Sequence, residues 1–149
     1  MWRRLRNIFN SFRTYADLSP DLRMRQRVNS SLHNRPALTA EQWFEQCWRS
    51  FDIAPSIAAF VYEYLPQYSG IEFARVRPSD RLDEDLHLPL VCWFDWQTSF
   101  CEDFWARFGI DLSDRFDAQS YPTVEALVVF LNQQLSVNHS SVGKIDHEL

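Results

Sequence analysis

The sequence predicts an all-α protein built as a helical bundle with an N-terminal helical extension. Apolar residues recur at three- and four-residue steps in three long stretches, which is the spacing of one buried helix face. Strand signals are few, because only residues 72–76, "EFARV", alternate weakly and no pairing partner is visible for them. The 149 residues include only three glycines, so few tight turns are expected between the helices.

Length and composition indicate one folded domain with a sizeable core. An apolar fraction of 46% and an aromatic fraction of 15% argue against a disordered chain. The three cysteines, Cys47, Cys92 and Cys101, are an odd count without a CxxC spacing, and each lies in an apolar run. We predict that they are buried free thiols in a reducing compartment, which indicates a cytoplasmic location.

The net charge of −5 hides a strong asymmetry between the two parts of the chain. Residues 1–40 contain eight arginines and two acids, giving +6, whereas residues 41–149 contain seven basic and eighteen acidic side chains, giving −11. Because phosphate repels carboxylate, the acidic body disfavours nucleic acid as a partner. A protein partner is expected instead, and charge complementarity favours a basic one.

Residues 1–38 are predicted to form a basic amphipathic helix followed by a connector. Four large apolar residues of the helix stand at helical spacing, with the arginines largely off their stripe: Trp2, Leu5, Phe9 and Phe12. We expect this helix to pack on the domain, with contact between residues 1–15 and a lipid surface or a partner as open alternatives. Residues 17–38 are turn-rich and are expected to hold at most a short helix. The sequence contains neither a secretory core nor a membrane-spanning stretch.

Residues 39–135 are predicted to form the helical domain, followed by a flexible polar tail at 136–149. The helix boundaries come from a capping box, from prolines and from glycines after a last turn. The residues that carry these signals are Thr39 with Gln42, Pro55, Pro66 with Gly70, Gly109, and Thr123. They delimit four helices, of which the third is predicted at residues 90–108.

The third predicted helix carries two apolar stripes, whereas a surface helix needs only one. One stripe contains Leu90, Phe94, Cys101, Phe104 or Trp105, and Phe108; the other contains Trp93, Trp96 and Phe100. Two interpretations follow from this pattern. Either the helix is sandwiched between two layers and its tryptophans hold the fold, or one aromatic face is a binding surface.

Residue patterns for catalysis or metal binding are not found in the sequence. The four histidines are scattered, and the GxGxxG, P-loop, HExxH and GxSxG motifs do not occur. The acids at 83–85 lack the alternation and the glycine of a calcium loop. Adjacent acids on a helix, such as Glu102 and Asp103, do not converge on one substrate. We therefore expect no enzymatic activity and no bound metal.

The order of short motifs resembles that of an acyl carrier protein. A helix ends in "YSG", a long loop contains "DRLDEDLHL", a second helix ends in "FWARFGIDLSD", and a last helix lies in "YPTVEALVVFLNQQL". The resemblance is strongest to an uncharacterised bacterial family of acyl-carrier-like proteins, domain of unknown function 1493, over residues 55–135. It implies a carrier-like bundle that meets protein partners through the second helix and the acidic loop before it.

The residue that holds the prosthetic group of a carrier is missing from its expected place. Carriers attach 4′-phosphopantetheine to the serine of an Asp-Ser-Leu triplet at the start of the second helix, whereas this region reads "DLHLPLVCW". No Ser or Thr occurs between Asp80 and Gln97, and Ser79 and Ser99 lie away from the predicted helix start. The resemblance with this departure implies a carrier-like protein without a cofactor.

We predict a non-enzymatic, acyl-carrier-like protein that binds a protein partner through an acidic and aromatic helix face. Two alternatives stay open. The first is a bacterial immunity or antitoxin protein that neutralises a toxin, and the second is a true acyl carrier with an atypical attachment residue. The residues predicted to contact the partner are Asp83, Glu84, Asp85, Trp93, Asp95, Trp96, Glu102 and Asp103.

Overall fold

The computed structural model describes residues 19–145, and this part of the chain is all-α, as the sequence predicts. Within this range six α-helices are joined by loops and short 3₁₀ turns, and no β-strand forms. One isolated antiparallel bridge joins Arg81 to Thr123. The helices are α1 (Leu22–Leu32), α2 (Ala40–Trp43), α3 (Pro55–Ser69), α4 (Leu88–Val91), α5 (Trp96–Phe108) and α6 (Val124–Ile145).

Helix α1 occupies much of the segment that the sequence assigns to a connector with at most a short helix. It has 11 residues, and the Asp21 carboxylate accepts a hydrogen bond from the Met24 amide at 3.0 Å, which caps its first turn. Val28 and Leu32 are buried in the core, so tertiary packing stabilises a helix that its turn-rich sequence does not indicate. The amphipathic helix predicted at residues 1–15 lies outside the described residues.

The capping box predicted at the start of α2 is confirmed. The Thr39 hydroxyl accepts a hydrogen bond from the Gln42 amide at 3.3 Å, and the Gln42 side chain accepts one from the Thr39 amide at 3.0 Å. The helix then widens to a π-helix over Phe44–Trp48. Trp43 and Trp48 are both fully buried, and their ring centroids lie 5.3 Å apart in an edge-to-face arrangement.

Helix α3 begins and ends at two of the predicted boundary residues. It continues through a third residue, a proline, that was also predicted to end it. Pro55 is its first residue, and Gly70 ends it in the left-handed conformation with φ 67°. Pro66 lies inside the helix instead of ending it. A proline at this position removes one backbone hydrogen bond, and the burial of Leu65 and Tyr68 on either side stabilises the turn nonetheless.

The long loop after α3 contains no strand at residues 72–76, where the sequence left one open. Phe73–Arg75 forms a 3₁₀ turn instead, because no neighbouring strand is available to pair with it. Phe73 and Val76 are both buried, and the Val76 carbonyl accepts a hydrogen bond from the Trp43 indole at 2.8 Å. Side-chain burial and this bond therefore hold the loop against the core.

The third predicted helix, expected to run unbroken from residue 90, is divided in the structure. Helix α4 ends at Val91, and α5 begins only at Trp96. The carbonyls of Leu90 and Val91 accept hydrogen bonds from the Asp21 amide at 2.9 Å and the Arg25 guanidinium at 2.8 Å. In a continuous helix these carbonyls would accept hydrogen bonds from the amides four residues later. Here they accept hydrogen bonds from α1, at the point where the helix is broken.

Helix α6 starts at the predicted cap and extends farther than predicted. The Thr123 hydroxyl accepts a hydrogen bond from the Ala126 amide at 3.1 Å. The helix continues to Ile145, past the predicted start of the tail at Ser136, because no proline follows Pro122 to interrupt it. Neither α6 nor any other helix among the described residues is long and apolar enough to cross a membrane.

Candidate functional site

Two open depressions flank α5 and meet at Gln97, and together we call them the α5 groove. The first lies between residues 81–89 and residues 118–122 and has a volume of about 520 Å³. The second lies between α5 and residues 111–116 and has a volume of about 490 Å³. Since Gln97 lines both depressions, they form one surface along α5 from Trp96 to Trp105.

An acidic turn shapes the rim of the first depression. The Leu82 amide donates to a backbone carbonyl just before α6 at 3.1 Å, which attaches the turn to the bundle. The Asp85 carboxylate accepts a hydrogen bond from the Arg81 amide at 2.8 Å and closes the turn. Asp83 and Glu84 remain exposed at the rim, where Glu84 lies 3.3 Å from the Arg81 guanidinium.

The floor of the first depression is apolar. Leu82, Leu88 and Trp96 are buried beneath it, and Tyr121 is half-buried at its side. An apolar floor below acidic side chains suits a group with an apolar stem and a basic end, such as an arginine or lysine side chain. Arg81 also lines this depression and pairs with Glu84, so the rim carries two acids against one basic side chain and keeps a net negative charge.

The second depression also combines an aromatic side chain with acids. Trp105 is 60% exposed and forms one wall together with the exposed Glu102. On the opposite wall, Asp111 accepts hydrogen bonds from the Ser113 hydroxyl at 2.5 Å and the Ser113 amide at 2.9 Å. These bonds lower the pKa of Asp111, so its carboxylate is charged at neutral pH.

The thiol of Cys101 lies in the second depression but lacks the environment of a reactive nucleophile. Burial raises its pKa, and the negative charges of Asp111 and Glu102 raise it further. Because the thiolate is the nucleophilic form, a raised pKa leaves this thiol neutral at pH 7. Among the described residues, no three His, Cys, Asp or Glu side chains converge in a way that could hold a metal ion.

The acids predicted to contact a partner occupy different environments. Asp83, Glu84 and Glu102 line the α5 groove. Asp95 is exposed in the turn before α5 and does not line the groove. Asp103 is half-buried on the flank of α5 that faces α3, where its carboxylate accepts a hydrogen bond from a tyrosine hydroxyl. The groove thus brings together three of the predicted acids.

The two tryptophans predicted as contacts have different exposures. Trp93 is 37% exposed, whereas Trp96 is only 5% exposed. Trp96 packs edge-to-face against Phe100 and Phe116, with ring centroids 6.1 Å and 6.0 Å away. The assignment of Trp96 as a surface contact is therefore corrected, because its ring is part of the core and only its edge reaches the groove.

Trp105 and Phe94, at 60% and 67% exposure, are exposed aromatic residues that the sequence does not single out as contacts, and Phe51 is another at 42%. The periodicity leaves Phe104 and Trp105 as alternatives for one apolar stripe, and the structure buries Phe104. The start of α5 at Trp96 is the signal that distinguishes them. Counted from Trp96, Phe100 and Phe104 follow at four-residue steps, and Trp105 falls on the opposite face.

The observed start of α5 also changes the position of two hydroxyl residues. From the sequence, Ser99 lies well inside the third helix, whereas in the structure Thr98 and Ser99 belong to the first turn of α5. Their amides donate to the Asp95 carbonyl at 3.1 Å and 3.3 Å. Thr98 is exposed and lines the second depression, so a hydroxyl group is present near the start of this helix.

The chain matches no family model, no curated protein and no solved structure. Its resemblance to acyl carriers accordingly depends on the order of motifs in the sequence. Fold by itself does not define function, so the function is argued from the geometry and charges of the α5 groove.

Proposed function

We propose that the chain is a non-enzymatic, acyl-carrier-like protein that binds a basic protein partner through the α5 groove. The observation that carries this proposal is the combination, around one groove, of an exposed Trp105 with three exposed acids: Asp83, Glu84 and Glu102. An aromatic side chain supplies much of the affinity when a partner buries it. Acids at the rim accelerate the encounter with a basic partner.

The order of the elements supports the carrier-like part of the proposal. Helix α3, a long loop, α5 and α6 follow one another in the order that the resemblance implies, with the short α4 added between the loop and α5. If the resemblance holds, the acidic turn and α5 correspond to the elements through which carriers meet their partners. A cytoplasmic location also fits, because Cys47, Cys92 and Cys101 are free thiols, which persist in reducing compartments.

A pull-down with the 149-residue chain as bait tests the proposal. Glu84→Lys combined with Glu102→Lys reverses two charges in the groove. Glu41→Lys combined with Glu63→Lys makes the same charge change at exposed residues of α2 and α3. We expect the groove variant to lose a partner that the wild type and the control variant both capture. Capture by both variants would contradict the proposal.

The captured protein also tests the immunity alternative. If the captured protein is encoded by a neighbouring gene, is toxic when expressed alone, and loses its toxicity when the chain is co-expressed, an immunity function replaces the carrier-like one. If it causes no toxicity, the carrier-like proposal stands.

A second candidate function, a true acyl carrier with an atypical attachment residue, is favoured by the position of Thr98. Its exposed hydroxyl group lies in the first turn of α5, as the serine of a carrier lies at the start of its second helix. Co-expression with a phosphopantetheinyl transferase and measurement of the intact mass tests this function. A gain of one 4′-phosphopantetheine group that Thr98→Val removes would establish it, whereas an unchanged mass of the wild type would exclude Thr98.

A further inference from the structure

Exposed apolar side chains gather where α1, α4 and α5 meet. Leu90 is 49% exposed, Trp93 37% and Phe94 67%, and we call these three residues the aromatic turn. Leu22, the first residue of α1, is 68% exposed. It lies beside the turn, because the Asp21 amide donates to the Leu90 carbonyl at 2.9 Å. Exposed apolar groups collected at one junction indicate a contact surface.

The described part of the chain begins beside this surface, because Ser19 and Pro20 directly precede Asp21. The Arg25 guanidinium donates to the Val91 carbonyl at 2.8 Å and to the Tyr68 carbonyl at 3.2 Å, which holds α1 against α4 and α3. The described chain therefore starts close to Leu90. A helix of 15 residues is about 22 Å long, enough to cross the aromatic turn. A short tether of this kind gives a local concentration of about millimolar.

The sequence of residues 1–15 complements this surface in both apolarity and charge. Its apolar stripe contains Trp2, Leu5, Phe9 and Phe12, and the segment has four arginines and no acid. The exposed Arg23 and Arg27 of α1 repel such a segment, whereas the exposed Asp95 and Glu102 attract it toward α5. Charge therefore favours the acids around the turn, Asp95 and the exposed Asp21 at the start of α1, over the basic Arg23 and Arg27.

We propose that residues 1–15 fold back as an amphipathic helix over the aromatic turn and act as its internal occupant. The apolar stripe covers Leu90, Trp93 and Phe94, and the arginines face Asp95. One consequence rests on the proposed function: a basic partner approaching the α5 groove competes with the arginines of the segment for Glu102, which lines the groove. The segment then lowers the apparent affinity for the partner until it is displaced.

Hydroxyl-radical footprinting of the full-length protein measures this contact, because the oxidation rate of a side chain follows its solvent exposure. Leu5→Asp combined with Phe9→Asp places two charges in the apolar stripe. The matched control, Asn7→Asp combined with Asn10→Asp, adds the same two charges on the polar face. We expect oxidation of Phe94 to become several-fold faster in the stripe variant and to stay at the wild-type rate in the control.

Trp105 serves as the internal reference, since it is 60% exposed on α5 and lies in the groove. Its oxidation rate should be equal in the wild type and in both variants. An unchanged rate for Phe94 in the stripe variant overturns the proposal. A parallel rise for Phe94 and Trp105 overturns it as well, because the segment would then stabilise the whole fold and not cover one surface.

Tryptic cleavage of the N-terminal segment provides a reciprocal measurement in a different variant. We expect Phe94→Ser to accelerate cleavage after Arg13 several-fold, while Trp105→Ser leaves the rate unchanged. Equal rates in the two variants would overturn the proposal.

Analytical sedimentation of the 149-residue protein distinguishes an intramolecular contact from binding of a second copy of the chain. A wild-type dimer that the stripe variant dissociates would assign the surface to a second copy and overturn the internal contact. If the wild type and the stripe variant are both monomeric, the internal contact is supported. These experiments contain no partner, so their failure leaves the pull-down result for the α5 groove intact, and the reverse also holds.

Discussion

At the scale of single residues, Trp96 and Trp105 show how one helix assigns two tryptophans to different roles. Trp96 is 5% exposed in the core, and Trp105 is 60% exposed in the groove. We expect Trp96→Ala to lower the free energy of unfolding by about 3–5 kcal/mol, the cost of deleting a large buried aromatic side chain. Trp105→Ala should change it by less than about 0.5 kcal/mol. Denaturant titration measures both values.

The pull-down completes this comparison, since Trp105→Ala should abolish capture of the partner without loss of stability. A Trp105→Ala protein that is stable and still captures the partner would remove the aromatic part of the proposed groove and leave only its acids.

The thiols are expected to differ in reactivity because they differ in burial. Burial raises the pKa of Cys92 from its ordinary value of 9.0 to about 12, whereas Cys101 is only partly buried. We expect iodoacetamide at pH 8 to alkylate Cys101 faster than Cys92 in the native protein, as measured by peptide mass spectrometry. Equal rates are expected in guanidinium chloride. Equal rates in the native protein would show that Cys92 is accessible.

The raised pKa of Cys92 also predicts a loss of stability at high pH. The unfolded state releases the thiol proton at a lower pH than the folded state does. The stability that this shift contributes is therefore complete below pH 9 and decreases as the pH rises toward 12. Denaturation measured across this window should show a smaller decrease for Cys92→Ala than for the wild type.

At the scale of elements, two glycines end helices in the left-handed conformation but in different surroundings. A Cβ at Gly70 would lie 3.0 Å from the Arg25 side chain, whereas a Cβ at Gly109 would meet open space. We expect Gly109→Ala to cost about 1–2 kcal/mol from backbone strain alone. Gly70→Ala should cost about 1 kcal/mol more, because Arg25 must move and weaken a hydrogen bond to α4 or α3.

Thermal denaturation of the two alanine variants measures this difference. If Gly109→Ala proves at least as destabilising as Gly70→Ala, Arg25 does not hold α1 in the way described.

At the scale of the whole molecule, the buried Asp80 joins three segments that are distant in sequence. Its carboxylate accepts two hydrogen bonds from the Arg35 guanidinium, at 2.6 Å and 2.9 Å, and one from the Arg77 amide at 2.7 Å. Its backbone carbonyl accepts a hydrogen bond from the Val124 amide at 2.9 Å. Asp80 therefore connects the segment after α1, the long loop and the start of α6.

We expect Asp80→Ala to lower the free energy of unfolding by about 2–3 kcal/mol, because it leaves charged and backbone donors without their acceptor. The partial exposure of Arg35, at 37% of its side chain, keeps the loss below that of a fully buried pair. Asp83→Ala, at an exposed acid of the same loop, is the control and should cost less than about 0.5 kcal/mol. Similar losses for the two variants in urea titrations would contradict the role of Asp80.

The candidate site was predictable from the sequence only in part. Asp83, Glu84 and Glu102 are exposed in the groove, as expected of acids in a polar loop or on a helix surface. The aromatic contacts were harder to predict, because Trp96 and Trp105 are the same residue type. Only the position at which α5 begins distinguishes their environments. A periodicity counted from residue 90 leaves both undecided.

By itself, the sequence determined the features that depend on residues close together in the chain. These are the all-α class, the capping box at Thr39 and the helix ends at Gly70 and Gly109. The tertiary structure alone decided where α5 begins and therefore which aromatic side chains are exposed. The physical reason is the range of the interactions: a cap acts within one helical turn, whereas the bond from Arg25 to the Val91 carbonyl spans 66 positions. Local periodicity does not report such a contact, because it arises only when distant helices pack together.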